Sequence, residues 1–346
     1  MKATIFNEHG SPDVLRYREI PKPDIKPDQI LVHVKAVALN HLDLFVRAGI
    51  PGLKLAMPHI LGSDISGVVV ELGEKVMTGI AVGTPVVIDP GVSCGDCEFC
   101  VGGEESLCKS YGILGEHYQG GYAEYIAINA KKVIPIPKKS GLDFIQAAAA
   151  PLTFMTAWRM LMTKARVQPN EDVLIIGIGG GVSLAALQIA KAAGARVFAT
   201  SSSNEKLAKA KDLGADFGIN HTETPDYHRE IRTLTNHRGV DVVVDSVGQA
   251  TWERSLRSLR KGGRLVTCGA TSGPNALTNV NLVFWNQLEI LGSTMGSRSE
   301  LEAVLQLIWD GKLKPVVDRV LPLSEAKEAH ELLEDGVQFG KIVLTP

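Results

Sequence analysis

The alternation of apolar and polar positions divides the chain into two kinds of territory. Residues 2 to 37 carry short alternating apolar runs broken by PKPDIKPDQ, whose closely spaced prolines forbid a helix and mark turns between strands. Ile30 to Val37, Gly67 to Gly73 and Thr84 to Ile88 read as strands, so the first part of the chain is β-rich. Around Asp143 to Met162 the composition turns to AAAAPLTFMTAWRML, which predicts a helical stretch that Pro151 starts or kinks, and the domain junction is placed near it. From Asp172 onward strand and helix alternate. Strands are expected at Val173 to Ile176, Arg196 to Thr200, Phe217 to Asn220, Val240 to Asp245, Arg264 to Cys268 and Leu288 to Ser293, with helices at Glu205 to Leu213, Tyr227 to Thr235 and Thr251 to Leu259 between them. Such alternation predicts a doubly wound parallel sheet. Ser299 with Glu302 reads as a capping box opening a helix to Trp309. Val316 to Leu321, a helix from Ser324 to Leu333 and Lys341 to Leu344 are expected to rejoin the β-rich domain.

The stretch DVLIIGIGGGVSLAALQIAKAAG, from Asp172 to Gly194, organises the second territory. An apolar run without alternation suits a parallel strand buried on both faces, and Leu184, Leu187, Ile189 and Ala190 recur at helical spacing. Between them lie Gly177, Gly179, Gly180 and Gly181. A glycine turn from strand to helix lets the backbone approach a pyrophosphate, whose charge is met by free N–H groups and the positive end of the helix dipole. The last glycine of the usual G-x-G-x-x-G pattern falls at Ser183 if the turn carries one extra residue. After Arg196 to Thr200, where an NAD binder would place a carboxylate for the ribose, this chain has Ser201-Ser202-Ser203 and then Lys206. Hydroxyls and a cation suit a 2′-phosphate, so NADP(H) is expected over NAD(H).

Length changes the picture only by requiring two domains: 346 residues exceed one ordinary core. A net charge of −2, with no basic tract, offers nothing to nucleic acid or an anionic membrane. The first residues lack an apolar signal core and no run approaches a membrane span, so a cytoplasmic protein is expected.

Four of the five cysteines, Cys94, Cys97, Cys100 and Cys108, form C-x2-C-x2-C-x7-C in a glycine-rich loop. Four thiolates at this spacing can enclose one tetrahedral Zn2+ and leave no position for water, which makes the metal structural. Iron–sulfur ligation uses related spacings and is the lesser alternative. Cys268 reads as a small core residue.

The order of these parts resembles the medium-chain dehydrogenase/reductase superfamily over the whole chain, through the four-cysteine lobe, LGSDISGVVVELG at 61–73, PLTFMTAW at 151–158, the glycine turn and the terminal GKIVL. The resemblance implies an α/β protein with a GroES-like β-rich catalytic domain (1–150 and 296–346, zinc lobe 91–110) and a Rossmann domain (151–295). It also implies a homodimer or homotetramer. In the zinc alcohol branch a Cys, a His and a second Cys or acidic residue hold a catalytic metal. The matching positions here are Asn40, Ser63 and Leu152 or Thr153, none a competitive zinc donor, and the proton-relay positions are Leu42 and Phe45.

That pattern is similar to the zinc-independent quinone and enone reductases, which carry the N-x-x-D seen as Asn40 and Asp43. The expected activity is hydride transfer from NADPH to a conjugated carbonyl compound, with Asn40 donating to the developing oxyanion, Thr156 on the nicotinamide face, and His41, His117 or water supplying the proton. Cofactor contacts are assigned to Gly179, Gly180, Gly181, Val182, Ser201, Ser202, Lys206, His221 and Val247. Two alternatives stand beside this: an alcohol dehydrogenase whose metal site is rebuilt from His41, His59 or Asp64, and a non-catalytic NADPH-binding protein.

Overall fold

A computed structural model describes all residues from Met1 to Pro346. The chain divides into two compact units, Met1–Leu152 with Gly296–Pro346, and Thr153–Met295.

The first unit is built on a seven-stranded sheet. Its path runs Val133–Pro135, Pro85–Ile88, Asp64–Leu72, Gln29–Ala38, Lys341–Thr345, Val317–Pro322, with Tyr125–Asn129 also paired to Gln29–Ala38. Ile30, Val32, Ile65, Ile88 and Leu344 from its strands join Phe6 and Tyr122 in one core. Each fully buried aliphatic side chain of this kind contributes roughly 1.5–3 kcal/mol. Two register relations position the polar side chains at the end of this sheet. Ala38 pairs with Asp64 on one side and with Val343 on the other, both antiparallel. Continuing the second ladder by two residues sets Asn40 opposite Lys341, so the ends of three neighbouring strands bring an amide, a carboxylate and an ammonium group together. Gly62, two residues before Asp64, has φ +97°, and a Cβ there would lie 2.5 Å from the Tyr122 ring. Only glycine fits that turn.

The second unit is a six-stranded parallel sheet in the order Phe217–Asn220, Arg196–Ser201, Asp172–Ile175, Val240–Val244, Leu259–Thr267, Glu289–Gly292. Numbered along the chain that order is 3-2-1-4-5-6, the dinucleotide-binding arrangement. Leu174, Phe198, Val243 and Leu265 fill its core, and Phe198 stacks on Phe217 with ring centres 4.8 Å apart.

Two expectations are corrected, and at the junction Pro151 starts a helix rather than kinking one: Asp143 caps Phe144–Ala148, and Pro151–Trp158 begins at the proline, which has no N–H to continue the earlier ladder. It then loosens into a π-helical turn, Arg159–Lys164, with Ala165 N–H bonded to Met160 O at 2.8 Å. The capping box belongs to Ser297 and Glu300, while Glu302 pairs with Arg298. The strand expected from Arg264 begins at Leu259, which pairs with Val240 across a bulge, so Lys261-Gly262-Gly263 lies within it rather than before it.

Candidate active site

Asn40 closes the strand Gln29–Ala38 and caps the helix His41–Ala48. Its backbone N–H donates to Asp43 Oδ2 at 2.8 Å, and the other oxygen of Asp43 accepts from Gly62 N–H at 2.9 Å. Its carboxamide is held at both ends. Lys341 Nζ donates to Asn40 Oδ1 at 2.5 Å and to Asp64 Oδ2 at 3.0 Å, and Asn40 Nδ2 donates to that same Asp64 oxygen at 3.0 Å. The second Asp64 oxygen takes Leu152 N–H at 2.7 Å. Asp64 is fully buried and Lys341 is 4% exposed, so this ion pair is closed from water.

The positions that match metal ligands in the alcohol branch are chemically spent. Ser63 Oγ donates to Leu114 O at 2.7 Å, and Leu152 offers an apolar side chain. His59 is a core residue: Nε2 meets Gly115 O at 3.1 Å, the ring packs edge-on against Phe6, and burial lowers its pKa. Asp64 is committed to Lys341. A metal centre rebuilt from His41, His59 and Asp64 is therefore not assembled. His41 opens the helix with an exposed surface, and neighbouring protein atoms, then the Lys341 charge, push its pKa down. His117 lies on the surface, where Nδ1 accepts from Ile113 N–H and faces Glu116.

The four-cysteine lobe comes together as the spacing predicts. Its sulfurs all lie within 4.8 Å of one another, with Cys94 to Cys100 at 3.8 Å, Cys97 to Cys100 at 3.5 Å and Cys94 to Cys108 at 3.4 Å. A tetrahedron of sulfurs about 2.3 Å from Zn2+ has edges of about 3.8 Å, so the set fits that ion. The Cys94 and Ser110 N–H groups point at Cys108 Sγ and hold its thiol below the ordinary pKa.

In the second unit the glycine turn has the predicted form, with Gly177 at φ +69°, Gly179 at +133°, and Gly180 capping the helix Gly181–Ala192. Ser183 does more than fit. Its Oγ accepts Gly179 N–H at 3.3 Å and donates to Gly180 O at 2.9 Å, tying the turn shut. The N–H groups of Gly181 and Val182, in the first helical turn, have no intrahelical acceptor and suit a pyrophosphate. Val247 adjoins the turn: a Cβ on Gly177 would lie 3.4 Å from its methyl. Thr156, on the helix Pro151–Trp158, is 4% exposed and its Oγ1 has no hydrogen-bond partner.

The serines after the second strand divide by role. Ser203 caps the helix Asn204–Asp212 by accepting Lys206 N–H, and the buried Ser201 accepts Ser203 N–H at 3.2 Å, so both hydroxyls serve the loop. Ser202 is exposed. His221 follows the third strand with its N–H on Ser201 O, its pKa lowered by burial and then by Arg254. A carboxylate does stand at this corner, but it is that of Glu223, held by Asn204 and Asn220.

Sequence reasoning missed Lys341 as a member of the site. Lys341 opens the strand KIVLT as its one charged residue, but the register that sets it beside Asn40 comes from strand pairing and is not carried by the sequence.

A parallel sheet with a glycine cradle, joined to a β-rich unit carrying a buried polar site, defines a nicotinamide-dependent oxidoreductase. Comparison makes this specific. Residues 26–138 match the alcohol dehydrogenase GroES-like domain and residues 181–310 the zinc-binding dehydrogenase family. An NAD-dependent alcohol dehydrogenase of Sulfurisphaera tokodaii is 33% identical over 100% of both chains. An acryloyl-coenzyme A reductase of the same organism is 31% identical over 100% of both. A crystal structure of an NAD-dependent alcohol dehydrogenase is 48% identical with a TM-score of 0.96, again over 100% of each chain. The chain belongs to the medium-chain dehydrogenase/reductase superfamily, which makes it an enzyme and sets aside the non-catalytic alternative.

Two outcomes are expected. Cys97→Ser should reduce zinc from about one per chain to well below half of that and lower the melting temperature by several degrees; full zinc retention on elemental analysis would remove the lobe as its seat. Burial pushes the Asp43 carboxyl up to about 6 from 3.8, against its two N–H donors and Lys341. The folded chain thus keeps a proton that the unfolded chain has released, and the stability Asp43 provides falls as pH rises from about 4 to about 6 and is level above. The unfolding free energy of wild type minus that of Asp43→Asn should drop by about 3 kcal/mol across that interval, at about 1.4 kcal/mol per unit. A flat difference would contradict it.

Proposed function

We propose that this enzyme is an NADPH-dependent reductase that delivers hydride, without a catalytic metal, to a conjugated carbonyl compound: a quinone, an enone or an enoyl thioester. The observation that supports the reading is the closed group Lys341–Asn40–Asp64, whose Asn40 falls, by the resemblance, at a metal-ligand position of the alcohol branch, and which contains no thiolate or imidazole donor. When bound, the nicotinamide supplies the hydride to the β-carbon of the acceptor. Negative charge then gathers on the carbonyl oxygen, and the free Nδ2 proton of Asn40 is the donor that meets it. Thr156, buried with an unpartnered hydroxyl, is assigned to the nicotinamide. His41, adjoining Asn40 in sequence, or solvent returns the proton to the resulting enolate; His117 is tied to its own loop.

The preference for NADPH rests on the strand end Ser201-Ser202-Ser203, which lacks the ribose-binding carboxylate, on Lys206 close after it, and on His221, whose N–H donates to Ser201 O. The activity named for the similar acryloyl-coenzyme A reductase supports the acceptor class. Other relatives, named NAD-dependent alcohol dehydrogenases, favour a second reading, alcohol oxidation with NAD. A structural Zn2+ in the cysteine lobe is common to both.

We also propose that two copies pair through the edge strand Glu289–Gly292. Ile290 there is 40% exposed, and Leu277, Val280, Phe284 and Trp285 of the preceding segment are more exposed still, five large apolar residues facing water within fourteen positions.

Steady-state rates with NADPH and NADH against quinones, enals, enoyl thioesters and aldehydes should show kcat/KM for NADPH with a conjugated acceptor at least about tenfold above any alcohol or aldehyde reaction. The reverse order would transfer the chain to the alcohol reading. Ser202→Asp, chosen because Ser201 is buried, should shift the NADPH/NADH ratio toward NADH by about tenfold through repulsion of the 2′-phosphate; an unchanged ratio counts against the phosphate contact. Sedimentation should find a dimer or tetramer that Ile290→Asp weakens, and a monomeric wild type would end the pairing proposal.

A further inference from the structure

Lys341 is a buried ammonium group in contact with a side chain assigned to the chemistry. We propose that it is a positioning residue: it holds the Asn40 carboxamide with the oxygen turned toward itself, so that one Nδ2 proton is left as the donor to the acceptor's oxygen. The inference rests on the proposed function, in which Asn40 meets the acceptor.

The orientation of an asparagine amide is fixed by what its neighbours can do. A lysine ammonium only donates, so the atom 2.5 Å from Lys341 Nζ is the amide oxygen. The Asp64 carboxylate accepts, so the atom 3.0 Å from Asp64 Oδ2 is the amide nitrogen. Turning the amide over would set –NH2 against –NH3+ and oxygen against carboxylate, both inside a region closed from water, where such contacts are least screened. Of the two Nδ2 protons one is spent on Asp64 and one is left. The cation on Oδ1 also withdraws charge from the amide, which strengthens that remaining proton as a donor. Strand register supplies the geometry: Ala38 pairs with Val343, Leu39 N–H donates to Ile342 O at 2.9 Å, and Lys341 falls beside Asn40.

A bland role is available, in which the Lys341–Asp64 pair only ties the last strand to the sheet. The two are separated by a double-mutant cycle with NADPH and a conjugated acceptor. Lys341→Met should lower kcat by roughly 10- to 100-fold, less than the roughly 100- to 1,000-fold lost when an oxyanion donor is removed outright, while NADPH affinity from fluorescence titration stays unchanged. In an Asn40→Ala background the same substitution should cost almost nothing further. Lys341→Arg, which keeps a buried cation that donates, should restore most of the rate. Should Lys341→Met fail to fold, the neutral pair Lys341→Met with Asp64→Asn frees the amide without leaving an unpaired charge, and its kcat should remain depressed. An equal loss from Lys341→Met with or without Asn40, or full activity in the neutral pair, would overturn the inference. If Asn40→Ala itself leaves kcat intact, the assignment of Asn40 to the acceptor fails instead, and the positioning role falls with it.

Discussion

An ammonium group withdrawn from water beside a carboxylate survives only where its own protons and the carboxylate's lone pairs find partners. Lys341 and Asp64 meet that condition by recruiting Asn40 and the Leu152 backbone. The constraint reaches backwards into the fold, since three neighbouring strands must end in register for the charges to meet. It also fixes the Asn40 amide, whose oxygen meets Lys341 and whose nitrogen meets Asp64. Gly62 belongs to the same constraint: its left-handed turn presents an N–H to Asp43, whose other oxygen holds the backbone of Asn40.

The two units solve different problems with local devices. In the parallel sheet, charge is to be met by unpaired backbone N–H groups, so the turn is built from glycines and locked by a single hydroxyl, Ser183. In the cysteine lobe four sulfurs are gathered by a short loop whose backbone N–H groups lean on Cys108. Each device is read within about twenty residues of sequence. The polar group around Asn40 joins positions 40, 64 and 341, and nothing local announces it.

That difference explains what the sequence disclosed. The parallel strand Asp172–Ile175 and the glycine turn were legible because an unbroken apolar run and a change of period are local signals. The cysteine spacing was legible for the same reason. The start of the strand at Leu259 was hidden because Lys261-Gly262-Gly263 falls in the register shift between the Leu259 and Arg264 pairs. Ser203 also serves as the cap of the helix Asn204–Asp212 and Ser201 Oγ accepts the Ser203 N–H, roles that the run of three serines does not announce. Lys341 was read only as the start of a strand rejoining the β-rich domain, and the pairing of Lys341–Thr345 with Gln29–Ala38 is what sets it beside Asn40. His59 and Asp64 had the right chemistry for a metal, but burial had already matched each to another partner.

Metal-free reduction requires that the polar group at Asn40 hold no ion while one sits in the cysteine lobe. Anomalous X-ray scattering recorded at the zinc edge from crystals of the purified enzyme tests this most directly. One peak is predicted, centred among the sulfurs of Cys94, Cys97, Cys100 and Cys108. A second peak within bonding distance of Asn40, Ser63 or Asp64 would contradict it.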